Sequence, residues 1–212
     1  MAAATAAATA ADVVEIDTPH GPARAHLHLR TGSTAAIILG HGAGGGVGAP
    51  DLAAAARGAG AAGASVALVE QPYRVAGRRS PPPAAQLDVA WLAVVLKLLS
   101  RELEGHRHVS GGRSSGARVA CRTADATGAA GVLCLAFPLR PPRRTDASPS
   151  RLDELEAVTV PVLVVQGERD PYGMPPPGPA RTVAAVAGDH SLRAARDEVA
   201  AAVERWLPTV LR

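Results

Sequence analysis

Aromatic side chains are almost missing from this 212-residue chain: Trp91, Trp206, Tyr73, Tyr172 and Phe137 are all it has. A core for a chain of this length must therefore be assembled from Ala, Val and Leu, and such small residues suit helices laid closely on a sheet. Cysteine is nearly as scarce. Cys121 falls in an expected helix and Cys134 inside the apolar run "GVLCLAF", the usual setting of reduced core thiols, so neither a disulfide nor cysteine catalysis is expected. Lysine is represented by Lys97 alone, and the net charge of +3 comes from arginine. The lack of basic runs interleaved with aromatics argues against a nucleic-acid platform. Apolar stretches long enough to span a bilayer are missing too, and the start "MAAATAAATAADVV" has neither a cationic leader nor a leucine-rich core. These absences point to a cytoplasmic protein that binds neither nucleic acid nor membrane, with residues 1–11 frayed and residues 12–212 forming one domain.

Two short runs, "DVVEID" and "ARAHLHLR", flank a "TPHGP" turn, and the second alternates His26 and His28 with Ala25, Leu27 and Leu29. That period of two predicts an N-terminal antiparallel hairpin with one buried face. His26 and His28 lack nearby acidic or cysteine partners, so a solvated strand face is expected rather than a metal site. From residue 35 the pattern changes. Unalternated apolar runs ("AAIIL", "SVALVE", "GVLCLAF", "VPVLVVQ") are separated by helix-like segments, the mark of an α/β fold whose mostly parallel sheet is covered on both faces. Leu87, Trp91, Val94 and Leu98 form one helical stripe, and Val199, Val203 and Trp206 another; these are core positions. "RRSPPP" and "PLRPPRRTDASPS" (138–150) read as loops.

The chemistry concentrates at "GGRSSGARVA", where Gly112-Arg113-Ser114-Ser115-Gly116 forms a G-x-S-x-G with Ser114 at its centre. Such a strand-to-helix turn holds its central residue in a strained conformation, and small flanking residues let neighbouring backbone approach. The plainer alternative is a serine N-cap followed by a glycine in the first turn. A phosphate-cradling loop is ruled out by the missing G-K-[ST]. Residues 108–111 read as the strand and "SSGARVACRTA" as the helix of the required setting. A nucleophilic serine needs a base and an acid, in the chain order Ser, Asp or Glu, His. Downstream, "VPVLVVQGERDPYG" is a strand whose end carries Asp170, and "VAAVAGDHSL" another that ends in His190. Each lies just past a strand's C-terminal end, where parallel sheets gather their catalytic groups. Glu168 is the second choice for the acid, and Asp189 is expected to order the loop. Taken singly, Asp170 suits an Asx turn and His190 a plain loop; jointly, the three fit a catalytic triad better.

An oxyanion hole would come from the backbone N–H of Ser115 and one from the glycine-rich loop "LGHGAGGGVGAP", where Ala43 is the expected donor. That loop lacks the spacing of a dinucleotide fingerprint. His41, Arg74, Arg113 and Arg140 are candidate substrate contacts. The three arginines fall at one edge of the sheet, where they would draw in an acidic ester or simply be solvated.

"HGAGG", "QPYRVAGRR", "GGRSSGARVA", "FPLRPP", "VQGERDPYG" and "GDHSL" together resemble the α/β-hydrolase superfamily, in particular its dienelactone-hydrolase-like branch. They are closer still to the small hydrolase-like family named after a testis-expressed mammalian protein and a subunit of the non-specific-lethal chromatin complex. The likeness runs from about residue 35 to the C-terminus. It implies Ser114 as nucleophile with Asp170 and His190 as partners and an α/β-hydrolase fold without a large lid, but it supplies no substrate. The triad itself leads to the expectation of a serine hydrolase of small esters or related acyl compounds that uses no cofactor. The chain departs from the family pattern at Arg140, where histidine is expected, and at "MPPPGPA", where a helix normally lies between acid and base. A hydrolase fold that serves as a silent binding scaffold is the alternative, because fold alone does not set function.

Overall fold

The structure, a computed structural model, describes residues 12–141 and 149–212. The expected frayed start and residues 142–148 of the expected proline-rich loop lie outside the described residues. Eight strands form one sheet: β1 (Asp12–Thr18), β2 (Gly21–His28), β3 (Ala35–Gly40), β4 (Ser65–Glu70), β5 (Arg107–Arg113), β6 (Gly131–Leu135), β7 (Val162–Gly167) and β8 (Arg181–Val186). Their spatial order is β1-β2-β4-β3-β5-β6-β7-β8. β1 and β2 form the expected hairpin, β2 meets β4 antiparallel, and every later pairing is parallel.

The helices are α1 (Pro50–Ala61), α2 (Pro72–Val75), α3 (Ala84–Leu99), α4 (Ser115–Thr127), α5 (Leu152–Glu156) and α6 (Arg196–Val210). Successive strand residues divide between the two faces of the sheet, which carry three hydrophobic clusters among the described residues. Ile37, Leu39, Leu133, Leu135, Leu163 and Val165 pack beneath α1 and α6. Ala36, Ile38, Ala67 and Val69 pack beneath α3, and Val132, Cys134, Val162 and Val164 beneath α4 and α5. Burial on both faces is why these strands show no polar alternation. Small residues set the spacing: a Cβ on Gly58 of α1 would overlap the backbone of Ala200 in α6. Cys121 and Cys134 are buried free thiols with their sulfurs 3.5 Å apart.

β5 reaches two residues further than its sequence suggests, from Arg107 to Arg113. Gly112 and Arg113 are poor strand formers in isolation, but they pair with Cys134 and Leu135 of β6, and Gly112 also with Gly40 of β3. Central pairing overrides local preference. The polar look of this strand is likewise misleading, because His108 and Ser110 are buried. Burial pushes the His108 imidazole down to about 4, so it sits in the core uncharged at neutral pH.

Outside the sheet, three helices are cross-linked by charge. Arg118 makes a two-pronged contact with Glu154, at 2.8 and 2.6 Å, and Arg122 a matching one with Asp88. The carboxyl of Glu154 is held below its ordinary range by the two guanidiniums, which outweigh its desolvation. The network braces α4 from behind, the helix that begins at Ser115.

Candidate active site

Ser114 sits at φ 51° and ψ −108° between β5 and α4. Only three non-glycine residues among those described have positive φ, and the others are Ala136 and Leu192. Ala136 follows β6 beside the turn, where Leu135 accepts the Ser114 N–H at 2.9 Å, and Leu192 lies two residues past His190. Strain of this kind costs about 1–3 kcal/mol per residue and persists where surrounding structure imposes it. Here it surrounds one place.

The turn is possible because two backbones cross without side chains between them. A Cβ on Gly112 would lie 2.5 Å from the Gly40 carbonyl oxygen, and one on Gly116 would also lie 2.5 Å from that atom. The two glycines flanking Ser114 therefore let the start of α4 pass directly over the end of β3. Ser114 does not act as a helix cap, since its side chain makes no capping hydrogen bond. Its hydroxyl instead faces His190 Nε2 at 3.0 Å.

His190 Nδ1 lies 2.8 Å from Asp170 Oδ2. A carboxylate only accepts, so Nδ1 carries the proton and Nε2 is left as the acceptor for the Ser114 hydroxyl. The Asp170 side chain is fully buried, and its other oxygen accepts the Tyr172 N–H at 2.9 Å. The Tyr172 ring lies against the imidazole with centroids 4.3 Å apart.

No helix separates Asp170 from β8, yet the Asp170 carboxylate and the His190 ring meet. The turn after β7 is sewn directly to the loop after β8: Glu168 N–H donates to the Val186 carbonyl and Arg169 N–H to the Gly188 carbonyl, each at 2.9 Å. A Cβ on Gly167 would lie 2.5 Å from the Asp189 carbonyl oxygen, so glycine permits that contact. Glu168 is exposed. Asp189 accepts both the Ser191 N–H and its hydroxyl, which orders the loop and holds the Asp189 carboxyl low.

Ser115 N–H belongs to the open first turn of α4, where helix amides have no intrahelical partner. Among the described residues neither it nor Ala43 N–H donates to a protein carbonyl, while the Ala43 carbonyl is held by the Tyr73 hydroxyl at 2.8 Å.

The four expected substrate contacts fare differently. His41 is buried; its Nε2 accepts the Gln71 N–H at 3.1 Å and its Nδ1–H donates to the Gly42 carbonyl at 2.9 Å. Both nitrogens are taken within the protein, and burial lowers its basicity. Arg113 also departs from expectation: its Nε lies 2.8 Å from Asp51 Oδ2, and Nη2 donates to the His190 carbonyl at 3.1 Å. Arg74 is half-buried and turns its guanidinium to the Arg78 carbonyl of its own turn. Arg140 alone keeps an exposed guanidinium with no protein partner among the described residues. It lines a cavity of about 330 Å³ with Leu139, Pro171, Tyr172, Gly173 and Met174.

Two buried polar residues escaped sequence reasoning. Gln166, fully buried at the end of β7, offers its amide nitrogen to Asp170 Oδ2 (2.9 Å), the Gly173 carbonyl (2.8 Å) and the Phe137 carbonyl (3.1 Å). Its only signal was an amide closing an otherwise apolar strand. Asp51 stands in the first turn of α1 after Pro50, where an acidic residue is ordinary, so nothing in the sequence marked it.

The chain's likenesses to known proteins agree with this architecture. Over 94% of its length it superposes on 98% of an alpha-beta serine hydrolase homologue from Coxiella burnetii, with TM-score 0.74 and 15% identity. A serine hydrolase without a lid from Xanthomonas campestris matches 94% of the chain over 96% of its own, with TM-score 0.69 and 19% identity. Dienelactone hydrolase from Anabaena variabilis matches 95% over 98%, with TM-score 0.73 and 16% identity. Identities this low speak for the fold. No curated protein sequence matches the chain. Among the described residues no segment forms a lid-like domain, and no helix is long and apolar enough to cross a membrane. Residues 33–206 match the family described as Alpha/beta hydrolase domain, and with the strand order and the turn at Ser114 already in hand, the chain belongs to that family.

Proposed function

We propose that the protein is a serine hydrolase of small esters or related acyl compounds, of the dienelactone-hydrolase-like kind. The observation that carries this reading is the relay from Ser114 Oγ to His190 Nε2 (3.0 Å) and from His190 Nδ1 to Asp170 Oδ2 (2.8 Å), built on a strained turn. His190 takes the hydroxyl proton as Ser114 Oγ attacks the carbonyl carbon. The Ser115 and Ala43 amides receive the oxyanion, helped by the positive end of α4. His190 then protonates the departing alkoxide, and water attacks the acyl-enzyme by the same base catalysis. Asp170 holds the imidazole in its working tautomer throughout. The reaction draws on no cofactor.

The test is covalent labelling. A fluorophosphonate probe is expected to modify the wild-type protein at Ser114, and Ser114→Ala is expected to lose both labelling and ester turnover. Labelling that persists in the variant would move the nucleophile elsewhere. A protein that resists the probe and turns over no ester would instead favour the silent scaffold.

The cavity of about 330 Å³ beside Tyr172 supports a small substrate, and Arg140, the one charged residue in its lining among the described residues, supports an ester that carries a carboxylate. Arg140→Ala is expected to raise KM about fivefold for a carboxylate-bearing ester and to leave its neutral counterpart unchanged. An equal change for both substrates would refute the assignment.

A further inference from the structure

Arg113 occupies the x position immediately before Ser114 in G-x-S-x-G, where a side chain would be expected to face the substrate. It faces inward instead. Its guanidinium lies between two loops that share no secondary structure. On one side, a Cβ added to Gly42 would lie 2.7 Å from Nη1, so the glycine-rich loop is pressed against the guanidinium. On the other, Nη2 donates to the carbonyl of His190 itself at 3.1 Å. Behind it, Nε lies 2.8 Å from Asp51, which is completely buried at the start of α1 and thus at the far end of the glycine-rich loop.

The details of the Asp51 contact say what holds the guanidinium in place. Oδ1 is taken by the Leu52 N–H at 2.9 Å, while Oδ2 accepts no aligned hydrogen bond. Charge therefore retains the guanidinium, and the His190 carbonyl sets its orientation. Burying two charges is costly, and replacing such a pair with apolar residues is often neutral or stabilising. Stability alone is thus a poor reason for this pair to stand beside the triad.

We infer that Arg113 is a positioning residue, with Asp51 as its anchor. One side chain, rooted next to the nucleophile, fixes the loop that carries the base and braces the loop that carries the Ala43 amide. The inference rests on the serine-hydrolase reading above and adds to it how base and oxyanion donor are registered on Ser114. It also removes Arg113 from substrate recognition, because Asp51 already matches its charge, the His190 carbonyl engages Nη2, and it is not among the described residues that line the cavity beside Arg140. Displacements of about 1 Å in such geometry cost about 100-fold in rate.

The experiment compares wild type, Arg113→Met, Arg113→Lys and the double variant Arg113→Met/Asp51→Leu on a neutral and a carboxylate-bearing ester, alongside thermal melting and the rate of fluorophosphonate labelling. Arg113→Met is expected to lower kcat about 10- to 100-fold on both esters, with KM within about twofold and labelling slowed in parallel. Arg113→Lys keeps a charge for Asp51 but cannot reach both it and the His190 carbonyl, so it is expected to melt like wild type and still lose most of the rate. The double variant removes the buried charge and is expected to fold while remaining slow, which covers the case in which Arg113→Met alone does not fold. Full kcat in Arg113→Lys or in the double variant would overturn the inference. So would a loss confined to KM for the carboxylate ester, which would return Arg113 to the substrate. A wild-type protein that neither labels at Ser114 nor hydrolyses esters fails the underlying reading instead, before any variant is compared.

Discussion

Asp170→Asn is expected to lower kcat by about 10⁴-fold while the protein still folds. The size follows from the hydrogen bonds around the carboxylate. Oδ2 accepts from His190 Nδ1–H and from the Gln166 amide, and Oδ1 accepts from the Tyr172 N–H. Every neighbour is a donor, and a carboxylate can accept from all of them. An asparagine has one oxygen and one NH2 group. If the oxygen faces Tyr172, the NH2 meets the Gln166 NH2 and drives His190 to present a bare Nδ1. The proton then moves to Nε2, where it points at the Ser114 hydroxyl and blocks the transfer that catalysis needs. If the amide turns over, its NH2 meets the Tyr172 N–H and the loop must shift. Steady-state kinetics with thermal melting separates the two results. Wild-type kcat in this variant would dismiss Asp170 from the triad, and the exposed Glu168 would have to be tested in its place.

Gly116→Ala is expected to lower the melting temperature by about 5–10 °C and to cost most of the activity. The added methyl would lie 2.5 Å from the Gly40 carbonyl oxygen, 2.7 Å from its carbon and 2.8 Å from the His41 carbonyl oxygen. All three are backbone atoms at the end of β3, so no side chain can rotate aside. Relief requires α4 to slide away from the sheet or the glycine-rich loop to move, and either displaces the Ser115 or the Ala43 amide relative to Ser114. Gly46→Ala is the control, because nothing lies within 4 Å of a Cβ there; it is expected to melt within about 1–2 °C of wild type, in keeping with an unremarkable surface change. Equal melting of the two variants would show that the crossing of β3 and α4 yields easily, and the role of Gly116 in the turn would fall.

Much of the candidate site was legible because its parts stand at strand ends. Ser114, Asp170 and His190 each follow an apolar run, in an order that a parallel sheet converts into proximity at one edge. The arginines were harder. As residue types in loops, Arg74, Arg113 and Arg140 look alike, and only their partners distinguish them: a carbonyl of its own turn for Arg74, a buried carboxylate and the base's own carbonyl for Arg113, and an open cavity for Arg140. His41 was hard to read for the same reason. A histidine beside a glycine-rich loop suits a ligand contact, but whether its nitrogens are free depends on Gln71, thirty residues away.

By itself the sequence determined the alternation of apolar strands and helices, the glycines that admit the turn at Ser114, and the chain order of Ser114, Asp170 and His190. Those are local properties, carried by hydrophobic period and by the residues that tolerate strained or crowded backbone. Only the tertiary structure decided that Asp170 and His190 meet without an intervening helix, through hydrogen bonds between the turns after β7 and β8. It alone also decided that Asp51 and Arg113, 62 positions apart, share one buried contact, and that Gln166 is aimed at Asp170. The physical reason is common to all three. A buried polar group is defined by the partner that compensates its lost water, and that partner arrives from a distant segment whose place is set by the packing of the whole sheet.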